Sequence, residues 1–300
     1  MGIVSKWIES LGYELEILST CTRHLSPRST CEKCVDACGE QAISMENGRP
    51  LIDQHKCTDC GNCIATCPSQ AIAGIYPKRT IIQNQLIIKE EKMPTLKELL
   101  ILFKKGIRTI VAETPALLEK WKEPIDEANL VLAELGEASF STEIKSLKEE
   151  IVVSRRELFS LWKEEGKAVM KQAAPAKWRF NHKDFHLPNH FKDYQFASIR
   201  IDREKCTLCP VCQKLCEKKC FRILDAHMSI TQQHCSACQL CVDTCPEEAI
   251  VVEEQISVAE EIVLPIYEQN CDGCNRPFRT LHEHNRHCVP CTKQKFFENE

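Results

Sequence analysis

The sequence predicts an α+β protein in which two cysteine-rich blocks of one plan flank a small α/β insertion and precede a four-cysteine tail. Three observations predict this class. The chain carries 21 cysteines among 300 residues, which is far above ordinary usage. Cys38 and Cys57 are 19 positions apart, as are Cys216 and Cys235, and this equal span indicates an internal repeat. Residues 78–153, between the blocks, contain no cysteine.

The second block carries the clearest motif. Residues 206–216 and 235–245 both follow the pattern C-x2-C-x2-C-x3-C. In bacterial iron–sulfur runs of this spacing, three thiolates hold one [4Fe-4S] cube and the fourth reaches the neighbouring cube. Disulfides and zinc are weaker alternatives, because two complete runs occur in tandem. The spacing assigns one cluster to Cys206, Cys209, Cys212 and Cys245, and another to Cys235, Cys238, Cys241 and Cys216.

The first block has one complete run, at residues 57–67, and one altered run that keeps only Cys31, Cys34 and Cys38. The first ligand position of the altered run is empty. Cys21, before nine residues of expected loop, is the natural substitute, because a thiolate is the usual ligand of such iron. Two alternatives stay open: a [3Fe-4S] cluster without Cys21, or His24 as the ligand. The preferred sets are Cys21, Cys31, Cys34 and Cys67 for one cluster, and Cys57, Cys60, Cys63 and Cys38 for its neighbour.

Strand signals surround both blocks. In the first, residues 5–11 suit a short helix and residues 13–18 alternate as a strand. Asn47-Gly48 predicts a hairpin turn, because both residues tolerate positive φ. The expected strands are 13–18, 43–45, 50–52 and 71–75 in the first block, and 196–201, 221–224, 227–230 and 249–252 in the second.

Both blocks resemble the two-cluster bacterial ferredoxin, over about residues 13–77 and 196–253. The resemblance implies a pseudo-twofold fold of paired strands and short helices around two cubes. Gly39 and Glu217 replace the proline that normally follows the fourth cysteine, but proline is not a ligand. Cys220 is left over. It stands where Ala71 and Ala249 occur in sister copies, which favours a small buried residue over a ligand or redox thiol.

The insertion, residues 78–172, suggests strands and helices in alternation with some parallel pairing. Residues 80–88 suit one strand and 107–111 another. Capping signals start helices at Thr95 and Thr114-Pro115, and a further helix is expected at 154–171. No G-x-G-x-x-G or Walker loop occurs, so a flavin or nicotinamide site has no sequence support. The aromatic segment 173–195 is expected to pack as a linker, and the spacing of its histidines fits no metal ligand set well.

The tail contains two C-x2-C knuckles at the spacing of a four-cysteine zinc ribbon: Cys271, Cys274, Cys288 and Cys291. Residues 275–281 are similar to the zinc fingers of DksA/TraR-type proteins. Rubredoxin-like iron is the rival, but Asn275 and Thr292 stand where its knuckles normally have glycine. Neighbouring histidines could replace one thiolate. A separate unit this small has almost no core, so its fold is expected to depend on the metal.

Composition sets broad limits. The net charge of −4 argues against a chain built mainly to hold nucleic acid. No apolar run approaches the length of a membrane span, and no signal peptide is evident at the N-terminus. Because disulfides belong to oxidising compartments, cysteines acting as ligands predict a cytoplasmic protein.

The combined expectation is a polyferredoxin-type electron carrier, not an enzyme, with four [4Fe-4S] clusters and one zinc ion. Its partners would be redox proteins, such as a hydrogenase- or dehydrogenase-like complex. Two alternatives belong to other classes: an electron-input subunit of a catalytic oxidoreductase, or an iron–sulfur redox sensor whose ribbon binds nucleic acid. The expected domains are 1–77 and 196–256 for the ferredoxin-like units, 78–172 for the insertion, 173–195 for the linker, and 265–295 for the tail.

Overall fold

The computed structural model describes residues 15–74, 79–82, 84–88, 93–145 and 182–297, and these form a mixed helix and sheet protein. The expected helices at 5–11 and 154–171 lie outside the described residues. In chain order the elements are β1 (Glu16–Ile17), α1 (Thr22–Leu25), α2 (Lys33–Asp36), β2 (Ile43–Glu46), β3 (Arg49–Ile52), α3 (Asn62–Thr66), β4 (Ile72–Ala73), β5 (Thr80–Ile82), β6 (Gln85–Ile88), α4 (Leu96–Lys104), β7 (Thr109–Ala112), α5 (Pro115–Glu134), β8 (Ser141–Ile144), β9 (Tyr194–Ile201), α6 (Val211–Leu215), β10 (Phe221–Ile223), β11 (His227–Thr231), α7 (Leu240–Thr244), β12 (Ile250–Val258), β13 (Glu261–Pro265), β14 (Tyr267–Asn270), β15 (Pro277–Thr280) and α8 (Val289–Phe297).

The chain divides into two compact units. The first consists of Met1–Leu18, Lys33–Glu46 and Pro50–His190. The second consists of Ser19–Glu32, Asn47–Arg49 and Phe191–Glu300.

Within the described residues, the strands predicted for the first cysteine-rich block are present. β1 pairs antiparallel with β4, and β2 pairs with β3. Asn47 and Gly48 link β2 to β3 with φ angles of 49° and 77°, which confirms the turn predicted from these two residues.

The insertion forms a four-stranded sheet in the order β5-β6-β7-β8. β6, β7 and β8 are parallel, as expected, but β5 and β6 are antiparallel. The expectation of one strand over 80–88 is therefore wrong: Asn84, at φ 62°, reverses the chain between two short strands. Thr95 caps α4, since its hydroxyl accepts a hydrogen bond from the N–H of Glu98 at 3.2 Å. Thr114 caps α5 in the same way, through the N–H of Leu117 at 3.3 Å.

In the second unit, β9 pairs with β12 and a three-stranded sheet has the order β10-β11-β13. The opening and closing strands are longer than predicted, and β13 was not predicted. The expectation of a separate tail is wrong, because Leu281 is 1% exposed and belongs to the hydrophobic cluster that also contains Ile199, Phe221 and Leu264. The tail therefore shares the core of this unit.

The segment after Cys21 was expected to be loop, and the structure corrects this. α1 begins directly after Cys21, whose carbonyl accepts hydrogen bonds from the N–H groups of His24 at 2.8 Å and Leu25 at 3.0 Å. These two bonds fold the segment into one helical turn. The turn belongs, with the rest of Ser19–Glu32, to the second unit.

Candidate iron–sulfur centres and the four-cysteine tail

The fourth cysteine of every run lies in the same turn. The residue three positions later has a positive φ of 50° to 56° and donates its N–H to the cysteine carbonyl at 3.0 to 3.4 Å. The next N–H donates to the cysteine Sγ at 3.2 to 3.4 Å. The sulfur acceptors are Cys38, Cys67, Cys216 and Cys245, and the donors, in the same order, are the N–H groups of Ala42, Ala71, Cys220 and Ala249. Each turn therefore aims one backbone N–H at the sulfur of the fourth cysteine, and such donors to sulfur help to set the potential of a bound cluster.

The structure brings two of the predicted cysteine sets together. In the first unit, Cys38, Cys57, Cys60 and Cys63 line one cavity. In the second unit, a cavity is lined by Cys206, Cys209, Cys212 and Cys245. Apolar side chains complete both cavities, among them Leu15 in the first and Met228 in the second. Four thiols facing one apolar cavity are a donor set that fits a [4Fe-4S] cube. That a cluster binds in each cavity stays a prediction.

A third predicted set is linked electrostatically within the second unit. Burial raises the pKa of Cys241, and the nearby sulfurs of Cys238, Cys235 and Cys216 raise it further. The pKa of Cys216 is lowered, first of all by a hydrogen bond with the Cys220 thiol. The four predicted ligands of this set therefore lie within one another's electrostatic reach.

The remaining set divides between the two units. Cys21 and Cys31 belong to the second unit, whereas Cys34 and Cys67 belong to the first. Their assembly around one cluster stays a prediction.

The tail brings four sulfurs close together. One ligand atom each from Cys271, Cys274, Cys288 and Cys291 lies within 4.8 Å of every other. Cys271 and Cys274 lie between the paired strands β14 and β15, whereas Cys291 lies in α8. The N–H of Cys288 donates to Cys271 Sγ at 3.3 Å and lowers the pKa of that thiol. Four thiolates at this separation fit the tetrahedral site that zinc prefers.

The comparisons with known proteins decide the family. A sequence family described as "4Fe-4S dicluster domain" matches residues 29–71. A ferredoxin from Methanothermococcus thermolithotrophicus is 35% identical over 60 residues, which is 19% of this chain and 100% of that ferredoxin. The chain belongs to the 4Fe-4S ferredoxin family. One subunit of an ion-translocating oxidoreductase complex, from Methanosarcina acetivorans, is 54% identical over 42 residues, or 14% of this ferredoxin. The match spans only 16% of the length of that subunit.

Membership confirms the predicted iron–sulfur cofactor and electron-transfer function in general terms. The number of clusters, the zinc ion and the repeat of the dicluster unit stay predictions. Among the described residues of this ferredoxin, no helix has both the length and the apolar character needed to cross a bilayer.

Burial shapes the chemistry of the ferredoxin sulfurs. Mainly through burial, the pKa values of Cys63 and Cys212 are raised to about 12, so both thiols hold their protons at neutral pH in the metal-free chain. Iron binding must displace those protons, because the thiolate is the ligand. Low exposure, 6% for Cys63 and 8% for Cys212, also keeps water away from any bound cluster.

Sequence reasoning missed two groups of functional interest. The N–H donors four residues after each fourth cysteine could have been found from the small residues that recur at that position. The contact between Thr30 and Asp243 joins residues 213 positions apart and has no local signal.

Proposed function

We propose that this ferredoxin is a polyferredoxin-type electron carrier that holds four [4Fe-4S] clusters and relays electrons between redox proteins. The observation that carries the proposal is the turn repeated at Cys38, Cys67, Cys216 and Cys245. One backbone geometry occurs at the fourth cysteine of each run, in both halves of the sequence. A dicluster plan that occurs twice accounts for this repetition.

The cavities add support. Each holds three cysteines of one run together with the fourth cysteine of its partner run. A bound cluster supplies the one-electron chemistry. The chain supplies the thiolate ligands, the N–H groups that stabilise negative sulfur, and apolar walls that exclude water.

For the tail we propose one structural zinc ion, held by Cys271, Cys274, Cys288 and Cys291. Protein thiolates would take all four positions, which is the pattern of a structural site with no open position for substrate. Its role would be to hold β14, β15 and α8 together.

For partners we propose other redox proteins of a larger complex, in the cytoplasm. The support is the relative from M. acetivorans, whose name places that protein in an oxidoreductase complex. The ferredoxin would then pass electrons between the proteins of such a complex and would not itself act on a substrate.

Metal analysis of an anaerobic preparation tests the proposal. We expect about 16 iron atoms, a similar amount of acid-labile sulfide and about one zinc per chain. About eight iron atoms would contradict the duplicated plan, and would leave one dicluster unit.

Two matched variants show whether the iron depends on the predicted ligands. Cys216→Ser removes a proposed ligand, and about four iron atoms should be lost or one cluster converted. Cys220→Ser alters a buried cysteine four residues away that is not a proposed ligand, and iron should stay at the parent level. Equal iron contents in the two variants would contradict the ligand assignment.

A further inference from the structure

The segment Ser19–Glu32, here named the 19–32 arm, is held in shape by its own side chains. Arg23 forms an ion pair with Glu32 at 2.7 Å and donates a second hydrogen bond to the carbonyl of Cys31 at 2.9 Å. The Ser26 hydroxyl accepts a hydrogen bond from the N–H of Arg28 at 3.2 Å. The arm therefore fixes the backbone of Cys31, a proposed iron ligand.

The carboxylate of Asp243 anchors the arm to helix α7. The N–H of Thr30 donates to Asp243 Oδ2 at 2.7 Å, and the Thr30 hydroxyl lies 3.1 Å from Oδ2 and 3.2 Å from Oδ1. Hydrogen bonds to an ionised acceptor are stronger than bonds between neutral groups. Thr30 and Asp243 both belong to the second unit.

The spacing of the cysteine ligands does not require an acidic residue at the position of Asp243. Asp243 stands two residues after the third cysteine of its run. The equivalent residues of two other runs are Ala65 and Lys214, and the fourth run has the exposed Asp36. Because the same run forms with alanine or lysine there, the carboxylate of Asp243 is free to serve the arm.

The anchor joins two proposed ligand sets. Thr30 directly precedes Cys31, and Asp243 lies two residues after Cys241 in the run that also contains Cys238. The hydrogen bond from the Thr30 N–H to Asp243 therefore lies one residue from Cys31 and two residues from Cys241.

We propose that Thr30 and Asp243 are positioning residues, which hold the backbone of Cys31 at the run of Cys238, so that a cluster bound through Cys31 would exchange electrons with one bound through Cys238. The inference rests on the proposed function and adds a route to it. With both clusters bound, the step would be the transfer of one electron from one centre to the other, with no change in bonds or protons. The redox partner proteins supply and remove that electron.

The test uses the full chain, prepared anaerobically with its clusters and fully reduced. Neighbouring reduced clusters broaden each other's electron paramagnetic resonance signals. Asp243→Ala removes the carboxylate that anchors the arm, and Thr30→Val removes only the Thr30 hydroxyl. Asp36→Ala is the matched control, because it removes an exposed acid at the same position of another run. Trypsin cleavage after the exposed Arg28 reports independently whether the arm has left α7.

We expect Asp243→Ala to keep the parent's iron and sulfide content, to lose part of the broadening and to be cleaved several-fold faster after Arg28. Thr30→Val should show a smaller change, and Asp36→Ala none. Unchanged broadening in Asp243→Ala and Thr30→Val would overturn the inference, even if cleavage were faster. If Asp243→Ala lost iron, the broadening measured in Thr30→Val would decide. Unchanged broadening in that variant would overturn the inference. A parent chain without cluster signals would contradict the proposed function instead.

Discussion

Replacing Cys220 with alanine should lower the reduction potential of one cluster and leave its assembly intact. The Cys220 side chain is buried, and its N–H lies 3.4 Å from Cys216 Sγ. Its thiol hydrogen-bonds with both Cys216 and Cys235, and these bonds raise its own pKa while lowering theirs. The Cys220 thiol therefore lies where it can donate its one proton to the sulfur of Cys216 or of Cys235, both proposed ligands.

The size of the effect follows from that one donor. A hydrogen bond contributes about 0.5 to 1.5 kcal/mol, and S–H is a weak donor. For a one-electron couple, about 1.4 kcal/mol corresponds to 59 mV. Because donation to sulfur stabilises the more negative, reduced state, its loss should lower the potential by roughly 20 to 60 mV. The small void left by the sulfur should reduce the free energy of unfolding by about 1 kcal/mol.

A redox titration followed by electron paramagnetic resonance measures this shift. Cys220→Ser keeps a donor and should keep most of the potential. Ala249→Cys is the reciprocal variant, because Ala249 occupies the same position after Cys245 in the sister turn. It should raise the potential of the cluster bound by Cys245.

The donor role of Cys220 is refuted if Cys220→Ala leaves every potential within about 10 mV of the parent value, which is less than a weak hydrogen bond would supply. It is also refuted if the alanine and serine variants shift a potential by the same amount, since the serine retains a donor. Loss of iron from Cys220→Ala would show that Cys220 is a ligand, contrary to its assignment.

Three other predictions concern the remaining centres. Cys21→Ser should convert or lose one cluster while the others stay; a full iron count in this variant would show that Cys21 is not a ligand. Gly273→Ala should weaken zinc affinity about 10- to 100-fold in a chelator competition, because a Cβ would lie 3.2 Å from Cys291 Sγ; parent-like affinity would contradict this. Cluster loading should release protons, because the pKa values of Cys63 and Cys212 are raised to about 12. The apparent affinity for the cluster should therefore rise by about tenfold per pH unit for each such buried thiol. An affinity that did not change between pH 7 and 9 would count against the raised pKa values.

The sequence predicts best those features that neighbouring residues determine. The turn at Asn47-Gly48 depends on two residues that tolerate positive φ, and the start of α4 depends on a capping hydroxyl at Thr95. The expected strand over residues 80–88 was wrong although a local signal was present. Asn84 stands between the apolar pairs Ile81-Ile82 and Leu86-Ile87, and asparagine tolerates the positive φ that reverses the chain there.

Features that depend on distant partners were missed. β13 forms because β11 offers it an edge, and the antiparallel pairing of Ile230 with Ile262 cannot be read from either segment alone. The candidate centres also combine features that have a local sequence signal with features that depend on distant residues. Cysteine spacing predicted the sets that line the two cavities, because ligand geometry is local within each run. It could not predict that the Cys220 thiol hydrogen-bonds with proposed ligands or that Thr30 hydrogen-bonds with Asp243.

The four turns also indicate where the proposed clusters should differ. Each turn presents one backbone N–H to one sulfur in the same way, so these four donors contribute alike to the potentials. Differences between the centres must come from other groups, and the side chain at the donor position is one of them. Three turns carry alanine at the donor position, and one carries Cys220. The run that shares a set with that turn also contains Asp243, the anchor of the 19–32 arm. A side-chain donor and the inferred electron path thus meet at the centre bound by Cys216 and Cys238. We therefore expect this centre to have a reduction potential distinct from those of the other three proposed centres.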